Sequence, residues 1–429
     1  MKFIDLSTDF SLDKLAPFLA QLDDHSNEIE KNVVDILSSI KENGFQALTE
    51  YSEKFDKYPL TKSNLAVKKI DLINKAKNIN TELKNSLRLA IKNITQFHKK
   101  QKQKGFRIKK GSDYLTGQVV RPISSCCIYV PGGKALYPSS LLMAIIPAKI
   151  AGVKRIVVCS PPQTFENSVE MCFLLNEFGI NEIYRLGGVQ AVAAVSYGID
   201  PVQKVDKIVG PGNAYVATAK RLLYGQVDID MVAGPSEILI IADKTAKPEY
   251  MAADLLSQAE HDENARCILV TTEDISEKVL NAIQKQIKNL NKKAIAEQSL
   301  ENNGLIIKTK NLKDSITVSN FLAPEHLEIL TEKPLKLLKK LNHCGSVFLG
   351  DRTPEPVGDY FGGPNHILPT GNTARFFSPL GVYSFQKHFN FISYSRDRLD
   401  SDAEHIIRLA ECEGLEAHAN AVRIRQELP

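Results

Sequence analysis

No CxxC pair, no secretory apolar core, no apolar run long enough to span a bilayer and no intact G-x-G-x-x-G turn occur in this 429-residue chain. Each absence removes a class of protein. The seven cysteines (126, 127, 159, 172, 267, 344 and 412) lack the regular spacing of a disulfide framework, so free buried thiols in a reducing compartment are expected. Cys126-Cys127 reads as two small apolar side chains on a strand, because nothing beside it in the sequence would lower a thiol pKa. The longest apolar stretch, residues 141–151, contains Pro147 and Lys149 and is too short to cross a membrane. Acidic residues stand early in the chain and no signal core precedes them, which predicts a cytoplasmic protein. Net charge is +4 and pI about 8.5. The basic run from His98 to Lys104 has no nucleic-acid recognition module beside it and reads as a solvated face.

What is present is a chain with 43% hydrophobic residues, enough for two or three buried cores. Residues 1–110 carry amphipathic spacing at 29–40 and 83–97 and predict a helical region joining a first α/β domain. A strand–turn–helix alternation follows. Strands are expected at 125–130, 155–159, 182–186 and 207–209, with helices at 139–151, 165–178, 190–197 and 215–223. A second block predicts strands at 237–242, 266–271, 305–308 and 345–349 and helices at 248–260 and 276–289. Such alternation points to an α/β fold of two parallel-sheet layers covered by helices. The Gly-, Pro- and Asn-rich residues 351–381 predict a long ordered loop, and loops of that length in compact chains are usually functional. Residues 403–427 read as one or two helices that pack on something else, such as another subunit.

Chemistry gathers at a few places. Glu325 and His326 stand side by side after Pro324, which favours a held loop or strand start, and two groups of different intrinsic pKa can divide base work between two proton transfers. Gln258 and His261 are three residues apart near a helix end, so both can reach one ion, with Asp359 and His418 as candidates to complete a four-ligand shell. Pro131-Gly132-Gly133, Gly187-Gly188-Val189-Gln190 and Gly210-Pro211-Gly212-Asn213 each follow a strand, where exposed backbone N–H groups suit a nucleotide phosphate.

Tyr129-Val130-Pro131-Gly132-Gly133, Gly187–Ala191, Gly210–Asn213, Ala233–Glu237, Gln258–Asp262, Ala323–Leu327, Gly358-Asp359-Tyr360, Asn365–Thr370 and Glu413–His418, in that order, resemble histidinol dehydrogenase. The resemblance spans most of the chain and is weakest in the helical N-terminal third. One departure is Glu263, which follows His261-Asp262 where proline is expected. The resemblance implies two Rossmann-like layers: residues 111–233 as the nucleotide-binding domain, 234–380 as a second α/β domain with zinc and catalytic residues, and 381–429 as a C-terminal helical segment contacting the partner subunit.

It also implies a cytoplasmic homodimer, with a dimer-exchanged C-terminus, that oxidises L-histidinol to L-histidine with zinc and two NAD through a bound aldehyde, as the last step of histidine biosynthesis. Neither nucleic acid nor membrane is an expected partner. Position by position, Gln258, His261, Asp359 and His418 match zinc ligands; Ser236, His326 and Glu413 match substrate contacts, as do the metal ligands; Tyr129, Gln190 and Asn213 match nucleotide contacts. Glu413 and His418 would come from the partner subunit. A neutral imidazole suits the hydroxyl proton, so His326 is expected to serve the alcohol step and Glu325 to deprotonate the water that adds to the aldehyde. His366 is a candidate to orient the loop of Asp359. The alternatives are a zinc- and NAD-dependent dehydrogenase of another amino or sulfonated alcohol, and a zinc-stabilised scaffold with a vestigial crevice.

Overall fold

The computed structural model describes residues 1–20, 26–132 and 137–427. Gly133 of the first glycine turn lies outside them. Two parallel sheets carry the fold. The first has five strands in the order Glu182–Arg185, Arg155–Ser160, Ser125–Tyr129, Lys207–Val209, Asp228–Ile229. The second has six, in the order Lys2–Asp5, Gly304–Lys308, Arg266–Thr271, Glu237–Ala242, His326–Leu330, Ser346–Leu349. Val- and Ile-rich strands buried along their length, such as Glu237–Ala242 and Arg266–Thr271, are what a sheet covered on both faces demands. In each sheet the chain starts a βα series at a central strand, winds outward, and returns to the other side of that strand. The order therefore reverses between Ser125–Tyr129 and Lys207–Val209 in one sheet and between Glu237–Ala242 and His326–Leu330 in the other.

The expected elements stand with shifts of a residue or two, and the departures have local causes. The helix expected over 165–178 breaks at Ser168, whose hydroxyl accepts a hydrogen bond from the Met171 amide and starts a new helix, Val169–Glu177. The long loop contains a helix, Glu355–Tyr360, opened by Pro354. The N-terminal region is not all helical and does not join the first layer as one piece. Lys2–Asp5 is an edge strand of the second sheet, and Leu6, Leu15 and Phe18 pack into that sheet's core. The helix Ser26–Asn43 packs instead on Gly188–Tyr197 and Ala214–Leu223 beside the first sheet, and Thr81–Lys99 packs on Pro138–Ala151.

The C-terminal segment also begins with a strand. Gln386–Tyr394 pairs antiparallel with Tyr114–Pro122, which pairs in turn with Phe106–Lys110. A helical hairpin, Arg396–Cys412 and Glu416–Glu427, ends the chain. Among the described residues no helix is long and apolar enough to cross a membrane.

Candidate active site

The helix Leu312–Leu322 ends because Ala323 takes a left-handed conformation (φ 46°) and Pro324 cannot continue a helical ladder. The chain then enters the strand His326–Leu330. The Glu325 carbonyl accepts from the Ser346 amide (2.8 Å) and the Pro324 carbonyl from Gly345 (2.9 Å), so the entry is held by the neighbouring strand. Gly345 is required there, since a Cβ would lie 2.5 Å from the Glu325 carbonyl oxygen.

Both side chains of the pair are buried. The Glu325 carboxylate accepts from the Glu237 amide at 2.8 Å. His326 Nδ1 lies 3.0 Å from the Glu237 carbonyl. A carbonyl only accepts, so Nδ1 carries a proton and Nε2 is the ring's free position. Nε2 is buried without a hydrogen-bond partner and lies 3.6 Å from Asp359 Oδ1 and 3.9 Å from Glu355 Oε1. Burial pushes the Glu325 carboxyl up to about 8, against the pull of His326. Burial also disfavours charge on His326, but the carboxylates of Glu355, Glu325 and Asp359 outweigh it and hold the ring well above the usual histidine range. Asp359 resists its own burial through the His326 contact and stays below the usual carboxylate range.

Gln258 and His261 come together although the helix stops at Ala259 and His261 stands on the turn beyond. That turn continues the spiral, with the His261 amide donating to the Gln258 carbonyl, and leaves Gln258 Nε2 3.2 Å from His261 Nδ1. Gln258 is fully buried and its Oε1 has no hydrogen-bond partner. A buried amide oxygen without a donor costs on the order of 1–3 kcal/mol, which a cation would relieve. The unpaired Gln258 amide oxygen, the His261 imidazole beside it and the carboxylate of Asp359 are a hard-to-borderline N/O donor set, and zinc fits it. His326, Glu355 and Asp359 also have ligand atoms within 4.8 Å of one another.

His366 reaches the Asp359 carbonyl through Nδ1 (2.8 Å), the contact an orienter of that loop needs. Ser236 directly precedes Glu237, whose amide and carbonyl hold Glu325 and His326. Glu413 and His418 are exposed on the C-terminal hairpin, and no hydrogen bond or ion pair among the described residues joins them to this cluster.

The three expected nucleotide contacts converge. A cavity of about 690 Å³ at the carboxyl ends of the first sheet is lined by Tyr129, Gln190 and Asn213 together with Pro131, Gly188 and Asp56. Asn213 caps the helix Ala214–Leu223, accepting from Val216 at 3.1 Å. Gly210 has φ +116° and leaves no room for a Cβ, which would sit 2.1 Å from the Tyr129 carbonyl oxygen.

A family model described as histidinol dehydrogenase matches residues 20–426. The chain belongs to the histidinol dehydrogenase family. A curated histidinol dehydrogenase from Caldanaerobacter subterraneus is 51% identical over 402 residues, 93% of each chain. One from Listeria innocua is 48% identical over 403 residues, 94% of each chain. The crystal structure of histidinol dehydrogenase from Elizabethkingia anophelis matches with a TM-score of 0.93 at 36% identity, covering 100% of this chain and 98% of that one. As a histidinol dehydrogenase family member the protein is an oxidoreductase acting on a CH–OH group, in histidine biosynthesis.

Sequence reasoning missed the acids around Glu325 and His326. Glu237, Glu328 and Glu355 are all buried, and burial pushes Glu237 and Glu355 up to about 7 and Glu328 to about 9. Only Glu355 had a local signal, as an acid following Pro354 at the start of the glycine-rich stretch.

Proposed function

We propose that this protein oxidises L-histidinol to L-histidine in two successive hydride transfers to NAD, with zinc holding the substrate and an aldehyde kept bound between the steps. The observation that carries the reading is that two buried polar atoms, His326 Nε2 and Gln258 Oε1, have no hydrogen-bond partner, the first lying 3.6 Å from the Asp359 carboxylate and the second on the amide that meets His261. Gln258, His261 and Asp359 would hold the zinc with His418 of the partner subunit. Bound there, the metal supplies a template for the imidazole and amine of the substrate and a positive charge beside them. NAD would lie in the crevice of Tyr129, Gln190 and Asn213, and it receives the hydride in each oxidation.

The chain's own residues move the protons. In the first oxidation the carbinol C–H leaves as hydride and the hydroxyl proton passes to His326 Nε2, whose orientation is set by Nδ1 donating to the Glu237 carbonyl. A positive charge at Asp359 would weaken one of the carboxylates that raise the proton affinity of His326. In the second, water adds to the aldehyde carbon as Glu325 takes a proton from it, and the hydrate then loses hydride and a proton to give the acid. One water is consumed, two NADH form and three protons are released when histidine leaves as its carboxylate. Ser236 would contact substrate from its place beside Glu237, and Glu413 of the partner subunit would hold the substrate amine.

A homodimer completes the site in this reading. Its support is the exposure of Glu413 and His418 together with exposed apolar residues on the same terminal region: Leu409 (69%), Ile392 (67%) and Phe389 (50%). The protein would work in the cytoplasm, where its free cysteines stay reduced. The test is to mix the zinc-loaded protein with L-histidinol and NAD and count NADH per substrate. Two equivalents are expected; one would mean a simple alcohol dehydrogenase, and none a binding protein.

A further inference from the structure

The crevice of the first sheet is not built by that sheet alone. Asp56 reaches it from the end of the short helical turn Ser52–Asp56, in the N-terminal segment where sequence reasoning found no chemistry. Its Oδ2 accepts from Gln190 Nε2 at 3.0 Å, and its carboxylate also accepts from the Gly187 amide. The Asp56 backbone is tied down in turn, its carbonyl accepting from Gln163 Nε2. On the other side of the same turn the Gly188 amide donates to the Tyr129 hydroxyl at 3.0 Å. The turn has no slack: a Cβ on Gly187 would lie 2.8 Å from Asp56 Oδ1 and the same distance from Pro161.

A carboxylate can only accept, so Asp56 decides which way the Gln190 amide faces. The NH₂ group is fixed on Asp56, and Oε1 is turned toward Gly188, 2.8 Å from where a Cβ on that glycine would be. Without Asp56 the amide is free to rotate and present either a donor or an acceptor. A nucleotide offers hydroxyl and amide donors, and an acceptor held ready for them spares the ordering cost at binding.

We propose that Asp56 is a positioning residue for the nicotinamide nucleotide, holding the Gln190 amide in the orientation the cofactor meets. This rests on the reading of the crevice as the NAD site.

The experiment is NADH titration of the zinc-loaded protein by fluorescence, with steady-state kinetics alongside, for wild type, Asp56→Ala, Asp56→Asn, Gln190→Ala and the Asp56→Ala/Gln190→Ala pair. Loss of a charged hydrogen bond predicts a roughly ten-fold weaker NADH Kd and NAD KM in Asp56→Ala. The KM for L-histidinol and the zinc content should not move. Asp56→Asn, which keeps the shape and one accepting oxygen, should fall between and serves if the alanine variant folds poorly. Because Asp56 acts through Gln190, the double variant should be no worse than Gln190→Ala alone. NADH affinity unchanged in both Asp56 variants, or losses that multiply in the double variant, would overturn the proposal. A wild-type protein that binds no NADH at all would instead overturn the reading of the crevice, and this inference with it.

Discussion

Replacing Glu325 by glutamine should make the protein more stable and less able, and the structure gives the size of the first effect. Glu325 is 6% exposed, and burial moves its carboxyl from 4.5 to about 8. At about 1.4 kcal/mol for each tenfold change in proton affinity, that displacement is worth roughly 5 kcal/mol. The sign follows from the folded state binding this proton more tightly than the unfolded state. Its contribution to stability is complete below pH 4.5 and is lost as pH rises through about 8. Glutamine does not titrate, and its amide oxygen can still accept from the Glu237 amide. Glu325→Gln and wild type should therefore unfold alike near pH 4.5. The variant should gain steadily as pH rises, up to roughly 5 kcal/mol above pH 8. Urea unfolding of both proteins after chelation, at several pH values across that window, measures the gap directly. Two stability curves that run parallel across the window would refute the buried-carboxyl argument. The second effect is read in single turnover. Glu325→Gln should still convert alcohol to aldehyde, with one NADH formed, and stall before the acid; equal loss of both half-reactions would refute the division of work between Glu325 and His326.

Lys220 and Asp230 form a fully buried ion pair that grips Gly210, Lys220 donating to the Gly210 carbonyl (2.9 Å) and Asp230 accepting from its amide (2.7 Å). Lys220→Met leaves Asp230 buried without its cation, so about 3–5 kcal/mol of stability should be lost in denaturant melts; a loss under about 1 kcal/mol would contradict this. A site shared between subunits, as proposed, predicts complementation. Gln258→Ala and His418→Ala should each be inactive and zinc-poor as homodimers, yet a mixed dimer should regain one of its two sites, whereas sites built within single chains would stay dead in the mixture. His366→Ala should lower zinc affinity roughly ten-fold or more by releasing the Asp359 carbonyl, checked by metal content after dialysis against a weak chelator.

Much of the layered fold could be read from the chain because buried parallel strands and amphipathic helices each leave a periodic signature, and the glycine turns between them mark strand ends. Glu237–Ala242 and Lys207–Val209 stand where periodicity put them. The strand Gln386–Tyr394 was not legible: all nine of its residues are half-exposed or exposed on one antiparallel edge, and partners about 270 residues away decide its conformation. The pairing of Lys2–Asp5 with Gly304–Lys308 is equally non-local. In the candidate site, motif spacing found Gln258, His261 and the Glu325–His326 pair, since those residues sit within a turn of each other. Glu355, Glu237 and Asp56 escaped because a single carboxylate has no pattern of its own; only the fold brings Asp56 to Gln190, 134 positions later. The cavity lined by the three expected nucleotide contacts lies at the carboxyl ends of the first sheet's strands, where α/β folds commonly place ligands. Glu237 and His326 instead open their strands and sit at the amino end of the second sheet's reversal point.

The edge strand at the start of the chain carries a consequence for synthesis. Lys2–Asp5 is made some three hundred residues before Gly304–Lys308, its one sheet neighbour among the described residues. At about 5–20 residues per second the opening strand waits for at least a quarter of a minute with its backbone unpaired. Meanwhile the helices that follow it can already close around the first layer. Assembly should thus run from the inside of the sequence outward, the first layer early and the second only after its outermost strand has been recovered from the far end of the nascent chain.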